Sequence, residues 1–303
     1  MYEGLYPGMV WADHTQRWPL AAYSQQVQAG GLRWHVQRMG QGPVLLLLHG
    51  TGSGGFSWRA LMPRLAEHFT VLAPDLPGHV FTERGPAGTL SLPGMSEALR
   101  ALLLQLQLQP SAIVGHSAGA AIGAHMVLHH SALAGCPLVG LNPAWRVLGG
   151  AAAWLFSPMA KLARLNPLSA WALSRWAARA GAVEDAMART GSRLDAAGLA
   201  LYREVLSHPG HVHGVLSMMA AWQIRPLAQA MARLRSPLYM HIGGNDQTVP
   251  VAQSDELLAL LPHAQRVLVP GLGHLAHEED PVGTAAQLLA WLGPRAASAA
   301  TSS

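Results

Sequence analysis

The run Ile113-Val114-Gly115-His116-Ser117-Ala118-Gly119 constrains the fold more than any other stretch of the chain. An apolar segment, 112–114, reads as a buried strand, and a small-residue helix, 120–129, follows the Gly-x-Ser-x-Gly turn directly. A strand that turns this sharply into a helix projects the central serine above the strand end, at a helix N-terminus. Such a turn is a nucleophile elbow and makes Ser117 a candidate nucleophile; an ordinary strand-to-helix turn is the plainer alternative. The choice between them depends on what else reaches the same edge of the sheet.

Strand signals flank this unit on both sides. Two short alternating segments, 23–29 and 32–38, are separated by Gly30-Gly31 and read as a hairpin at a sheet edge. Continuous aliphatic runs follow at 44–48, 69–73 and 138–141, then at 237–242 and 265–270, with helices expected at 56–67, 90–106, 251–261 and 281–292. Alternation of this kind gives an α/β fold: a mostly parallel, eight-stranded sheet flanked by helices. Between 145 and 227 the strand pattern vanishes. Asn166-Pro167 starts one helix that Gly181 stops, Ser192 with Asp195 starts another, and Pro209-Gly210 precedes a third at 211–222. This helical insertion after the sixth strand is expected to form a cap over the strand ends. The expected organisation is an N-terminal extension at 1–22, a core at 23–144 and 228–295, the cap at 145–227, and a small, polar, disordered tail at 296–303.

Composition narrows the function classes. A 303-residue chain is long enough to bury a substantial core, and 50% of its residues are hydrophobic. No uninterrupted stretch has the length of a membrane span. Residues 1–19 carry Glu3, Asp13 and two tryptophans with neither a basic start nor an apolar centre, so no signal peptide is expected. The single cysteine, Cys136, excludes an internal disulfide and fits a cytoplasmic location. The net charge of +4 is uneven: residues 146–235 hold eleven Lys/Arg against four Asp/Glu, or +7, which leaves −3 for the rest. No basic run with interleaved aromatics accompanies this charge, so no nucleic-acid partner is expected. The basic cap suits docking on an anionic membrane, which would make the protein peripheral to the inner membrane. It also suits steering of a substrate bearing carboxylates, and a plain solvated face is the third reading.

A serine nucleophile needs a base and an orienting acid on neighbouring loops. Strand 237–242 runs into Gly243-Gly244-Asn245-Asp246, and the next strand runs into Pro270-Gly271-Leu272-Gly273-His274. Asp246 and His274 therefore stand just beyond successive strands, in the order Ser, Asp, His. Taken singly, Asp246 could cap a turn and His274 could be one more of sixteen histidines. Asp75, Glu278 and Asp280 are rival acids. The loop His49-Gly50-Thr51-Gly52-Ser53-Gly54-Gly55 lacks the spacing of a phosphate-binding loop and fits an oxyanion hole, with N–H groups from Ala118 and Thr51. Gly50, His116, Trp145, Val249 and Leu275 are expected, with Met218 and Trp222 of the third cap helix, to line the substrate site. Trp154, Phe156, Trp171, Trp176 and Trp222 make the cap aromatic and favour a hydrophobic acyl or tetrapyrrole-sized pocket beneath it. Trp171 and Trp176 are five residues apart, which predicts one packed inward and the other outward. His211-x-His213 and His129-His130 have no acidic or cysteine partner at ligand spacing. They are expected to be surface or capping residues, with no metal and no cofactor.

The motifs His49-Gly50-Thr51-Gly52, Asp75-Leu76-Pro77-Gly78-His79, Gly115-His116-Ser117-Ala118-Gly119, Gly244-Asn245-Asp246 and Gly273-His274 cover most of the chain, which resembles the α/β-hydrolase superfamily. More narrowly, residues 29–37, 45–52 and 91–95 resemble the magnesium-chelatase accessory α/β-hydrolases of bacteriochlorophyll biosynthesis. That resemblance implies a pathway rather than a reaction, and a possible association with magnesium chelatase. Two readings follow: a serine esterase acting on a small hydrophobic substrate, or a non-catalytic accessory that binds a porphyrin or assists the chelatase. Where members of the superfamily read Gly-His-Gly after Asp-Leu-Pro, this chain has Gly78-His79-Val80, a departure expected to alter the loop beside the site.

Overall fold

A computed structural model of the protein describes residues 6–146, 166 and 168–293. Its centre is one eight-stranded sheet. The strands are β1 (Ser24–Ala29), β2 (Leu32–Met39), β3 (Val44–Leu48), β4 (Thr70–Pro74), β5 (Pro110–His116), β6 (Leu138–Leu141), β7 (Leu238–Gly243) and β8 (Gln265–Val269). They lie in the order β1-β2-β4-β3-β5-β6-β7-β8. β2 is antiparallel to both of its neighbours, and β3 to β8 are parallel. Among the described residues the α-helices, in chain order, are α1 (Met62–Leu65), α2 (Leu92–Gln105), α3 (Ala118–His129), α4 (Ser169–Ala177), α5 (Ala182–Ala188), α6 (Ala196–Leu206), α7 (Pro209–Ala221), α8 (Arg225–Ala230), α9 (Ala252–Leu260), α10 (Ala276–Glu279) and α11 (Pro281–Leu292).

The aliphatic runs of the central strands are explained by burial on both faces. Leu46, Leu48, Ile113, Leu138 and Met240 pack on one side with α2 and α3, through Leu99, Ile122 and Met126. Leu45, Leu47, Val71, Val114 and Val139 pack on the other with Trp58, Met62 and Leu65, and with Leu288 and Leu292 of α11. The edge strands β1 and β8 are only partly buried, which is why their sequences alternate or mix.

The helix expected over 56–67 is instead two short pieces, a 3₁₀ turn at Gly55–Trp58 and α1. Pro63 lacks an N–H and can sit only in the first turn of a helix, so it divides the run. Helices α4 to α8 lie between β6 and β7, as the loss of strand pattern predicts. α6 begins where Asp195 caps it, its carboxylate accepting from the Gly198 N–H at 2.6 Å. α5, α8 and α10 carry no strong sequence signal, and α8 crosses the expected 227/228 boundary. The expected disordered tail, together with Trp154 and Phe156, lies outside the described residues.

Candidate active site

β5 ends at His116 and α3 begins at Ala118, so Ser117 alone makes the turn. Its backbone has φ 52° and ψ −116°, a region that a non-glycine residue occupies at a cost of about 1–3 kcal/mol. Surrounding hydrogen bonds hold it there. The Ser117 N–H donates to the Leu141 carbonyl at 3.1 Å, and its own carbonyl accepts from Ala120 N–H at 3.2 Å and Ala144 N–H at 3.1 Å. The hydroxyl makes no capping bond to α3. Gly115 and Gly119 are required by close approach rather than by an unusual φ. A Cβ on Gly119 would lie 2.1 Å from the Leu48 carbonyl oxygen, and one on Gly115 would lie 2.4 Å from the Ala120 backbone. The glycines let α3 press onto β3 and β5, while the serine carries the strain.

Asp246 and His274 meet at this edge. His274 Nδ1 donates to Asp246 Oδ2 at 2.8 Å, which leaves Nε2 as the ring's lone-pair nitrogen. The Asp246 carboxylate is almost fully enclosed and accepts three further bonds: Asn142 Nδ2 to Oδ2 at 2.7 Å, and the Thr248 and Val249 N–H groups to Oδ1 at 2.7 and 2.9 Å. Asn142, at the end of β6, sits at φ 45°, a left-handed conformation that asparagine tolerates. Its part in holding the acid was not visible in the sequence, where Asn142-Pro143 reads only as a strand end. The rival acids are engaged elsewhere. Asp75 bonds His35 Nδ1 at 2.8 Å and the Gly55 N–H at 2.7 Å, Glu278 pairs with Arg59, and Asp280 caps α11 through the Gly283 N–H.

Three consecutive residues outside the loops, Thr190, Gly191 and Ser192, tie them together. The Thr190 carbonyl accepts from both Gln247 N–H, at 3.1 Å, and His274 N–H, at 3.2 Å. Asn245 Nδ2 donates to the Gly191 carbonyl at 2.7 Å, and Leu275 N–H donates to Ser192 Oγ at 2.8 Å. The turn 190–192, between α5 and α6, is thus lodged between the acid loop and the histidine loop. On the opposite side His116 Nε2 donates to the His274 carbonyl at 2.9 Å, with the two rings 4.8 Å apart. His116 was expected to contact substrate. It is buried between His274 and His277, and burial, reinforced by those neighbours, holds its pKa well below the usual histidine range.

The loop after β3 faces the elbow. A Cβ on Gly50 would stand 2.8 Å from His116 Nδ1 and 3.2 Å from the Ser117 Cβ, so only glycine lets the loop lie against the serine. His49 is a neutral fastener: Nε2 accepts from the Leu76 N–H at 2.9 Å, Nδ1 donates to the Gly50 carbonyl at 2.8 Å, and burial lowers its pKa. The helical insertion grips the same loop at three points. Tyr202 bridges Ser53 Oγ, at 3.0 Å, and the buried Glu278 carboxylate, at 2.8 Å. His211 accepts from the Val80 N–H at 3.0 Å and donates to the Gly52 carbonyl at 3.3 Å, and burial brings its pKa down to about 4. Thr51 Oγ1 donates to Met218 Sδ at 3.8 Å. Ala118 is the first residue of α3, where an N–H has no intrahelical acceptor.

The remaining predicted positions divide. Trp145 and Val249 border a crevice of about 20 Å³ beside Asn142 and Asp246, and Trp145 Nε1 donates to the Ala120 carbonyl at 2.8 Å. Met218 is fully buried, Trp222 packs at the edge of the core, and Leu275 is buried among Phe56, Val183 and Val205. A groove of about 580 Å³ opens elsewhere, between residues 6–12, the loop 78–84 and Gly210-His211, and includes neither Met218 nor Trp222. The expectation for Trp171 and Trp176 is corrected, because both face outward, at 54% and 42% exposure. The inner side of α4 is taken by Ala170, Ser174 and Ala177. Of the histidines expected to be surface or capping residues, His129 is exposed and His130 is the C-cap residue of α3, bonded to Ser96 Oγ at 2.9 Å, while His211 is buried. Among the described residues no cluster of three or more His, Cys, Asp or Glu has the geometry to hold a metal ion. No described helix is long and apolar enough to cross a membrane.

Sheet order, elbow and loops together define the class, and the pattern of the alpha/beta hydrolase fold matches residues 43–281: the chain belongs to the α/β-hydrolase family. Within it, the chain is 35% identical over 277 residues to the magnesium-chelatase 30 kDa subunit of Rhodobacter capsulatus, covering 91% of this chain and 96% of that protein. It is 27% identical over 271 residues to a pimeloyl-[acyl-carrier protein] methyl ester esterase of Vibrio vulnificus, covering 86% and 98%. A putative lipase from Acinetobacter baumannii superposes with a TM-score of 0.76 at 20% identity, over 94% of this chain and 96% of that one, and so shares the fold.

Proposed function

We propose that the protein is a serine hydrolase acting on an ester-like carbonyl of a hydrophobic substrate. The observation that carries this reading is the His274–Asp246 hydrogen bond, formed at the same sheet edge as a serine held in a strained conformation with an uncapped hydroxyl. His274 Nε2 takes the Ser117 hydroxyl proton as Oγ attacks the carbonyl carbon, and Asp246 stabilises the resulting imidazolium. The Ala118 and Thr51 N–H groups receive the oxyanion. Collapse expels the alcohol, which leaves with the proton from His274. A water deprotonated by the same ring then releases the acid and regenerates Ser117. Gly50 admits the carbonyl to the serine; Trp145, Val249, Met218, Trp222 and Leu275 form the apolar surroundings.

The name of the Rhodobacter capsulatus relative supports a place beside magnesium chelation; with the sequence resemblance, bacteriochlorophyll biosynthesis is the pathway we propose, and a tetrapyrrole or acyl ester the substrate. The same name favours a second reading, a non-catalytic accessory that binds porphyrin or assists the chelatase. A fluorophosphonate probe separates the two. Covalent labelling of the native protein that disappears in Ser117→Ala is the expected result. An unlabelled native protein that binds a magnesium-free porphyrin saturably would favour the second reading. A hydrolysis screen across methyl, acyl and thioesters then identifies the substrate class.

A further inference from the structure

Four large apolar side chains stand in the open within nine residues: Leu168 at 66% exposure, Trp171 at 54%, Leu173 at 42% and Trp176 at 42%. They belong to α4 and its N-cap, whose buried side, Ala170, Ser174 and Ala177, is narrow and made of small residues. α4 packs on α7, the helix whose Met218 touches Thr51, so it forms an outer layer of the insertion one helix removed from the site. At 100° per residue, Trp171 and Trp176 lie about 140° apart, and Arg175 falls between them on the outward side. Arg179, just past the helix end, continues the same line and is exposed. The Arg175 guanidinium lies over the Trp171 ring, 5.6 Å from its centroid. There is no acidic residue from 166 to 183, and the segment 146–235 carries a net +7 from eleven basic and four acidic residues.

Exposed tryptophans alone suit several partners, but this pairing is more specific. Tryptophan prefers the headgroup level of a bilayer, where its ring is half apolar and its N–H stays wet. Arginine at the same level reaches lipid phosphates, and a surrounding excess of positive charge draws a protein toward anionic lipid. We propose that the outer face of α4 is a peripheral docking surface for an anionic lipid bilayer, with Trp171 and Trp176 entering the headgroup layer and Arg175 and Arg179 binding phosphates. The helix lies on the membrane and does not enter the hydrocarbon core, because its outward band mixes rings with guanidinium groups and its length is nine residues. Docking by this face turns the inward helices α6 and α7 away from the lipid and toward the loop at Gly50 to Gly55. The proposal does not depend on the chemistry of Ser117.

The test is flotation of the full-length protein with vesicles of phosphatidylcholine alone or phosphatidylcholine mixed with phosphatidylglycerol, at low and high salt. Binding to the mixed vesicles, weakened by salt and by removal of the anionic lipid, is expected. Trp171→Ser with Trp176→Ser should weaken it roughly tenfold or more, and Arg175→Ala and Arg179→Ala roughly fivefold each. All four positions are on the surface, so the thermal midpoint of each variant should match the parent, and Ser117→Ala should bind as the parent does. The proposal is overturned if the parent does not float with mixed vesicles at low salt, or if the double tryptophan variant floats equally well. It is also overturned if sedimentation shows that these tryptophans instead hold two copies of the chain together.

Discussion

Val80 is a β-branched residue at φ 46°, where glycine is at ease and valine is not. It is buried against Gly54 and Phe56, and its N–H is held by His211. The loop thus carries a side chain at a position whose left-handed backbone suits glycine. A reversal of the usual ranking is expected: Val80→Gly, which removes more carbon, should unfold in urea at a concentration no lower than Val80→Ala, because only glycine relieves the φ strain of about 1 kcal/mol or more. Asn142 makes the opposite case, a strained residue whose side chain is indispensable. In Asn142→Ala the Asp246 carboxylate loses one of its four donors and the left-handed turn loses a tolerant residue. Fluorophosphonate labelling should slow roughly tenfold or more, with a stability loss of about 1–3 kcal/mol. Unchanged labelling kinetics would remove Asn142 from the acid's support.

At the scale of elements, the strands were legible because burial on both faces forces them to be aliphatic, and β3 and β6 fall where the runs 44–48 and 138–141 predict. The elbow and the loops bearing Asp246 and His274 were legible for a related reason: glycine marks each point where backbones nearly touch. The turn 190–192 was not, since two of its three links to these loops are backbone carbonyls, which any sequence supplies, and the third is the hydroxyl of Ser192, which reads as a helix start. Gly191 is the trace it leaves, with φ 83° and a would-be Cβ 1.9 Å from the Asn245 carbonyl oxygen. Gly191→Ala should force the turn and the acid loop apart, lowering both the thermal midpoint and the labelling rate. Gly52→Ala is the matched control. Gly52 has φ 78° with nothing within 4 Å of its would-be Cβ, so strain of about 1 kcal/mol is the only stability cost expected. Equal losses from the two would show that conformational strain, and not contact between the turn and the acid loop, is what matters at Gly191. Helix α4 marks the other limit of legibility: its 3.6-residue period fixed the angle between two tryptophans, but the narrowness of the buried side, set by Ala170, Ser174 and Ala177, decided that both face out.

At the scale of the whole molecule, buried neutral histidines make the fold sensitive to acid. Burial brings His211 to about 4 and His277 to about 3, against about 6.5 in the unfolded chain. Because these folded-state values are depressed, the unfolded chain binds the extra protons. The stability they contribute is complete above about pH 6.5 and is lost as the pH falls toward the folded values, at up to about 1.4 kcal/mol per pH unit for each group. Urea midpoints should therefore fall steadily from pH 7 to about pH 5, above the range in which ordinary carboxylates titrate; a flat profile there would contradict the assignment of these rings as neutral. The shared acceptor at Thr190 has a different consequence. One oxygen of the segment between β6 and β7 receives a donor from each of the two loops, so the spacing of the loops that carry Asp246 and His274 is set by a turn that belongs to neither. Moving the segment 182–206 as one rigid piece would break both of these bonds at once, so the turn 190–192 and the two loops move together or not at all.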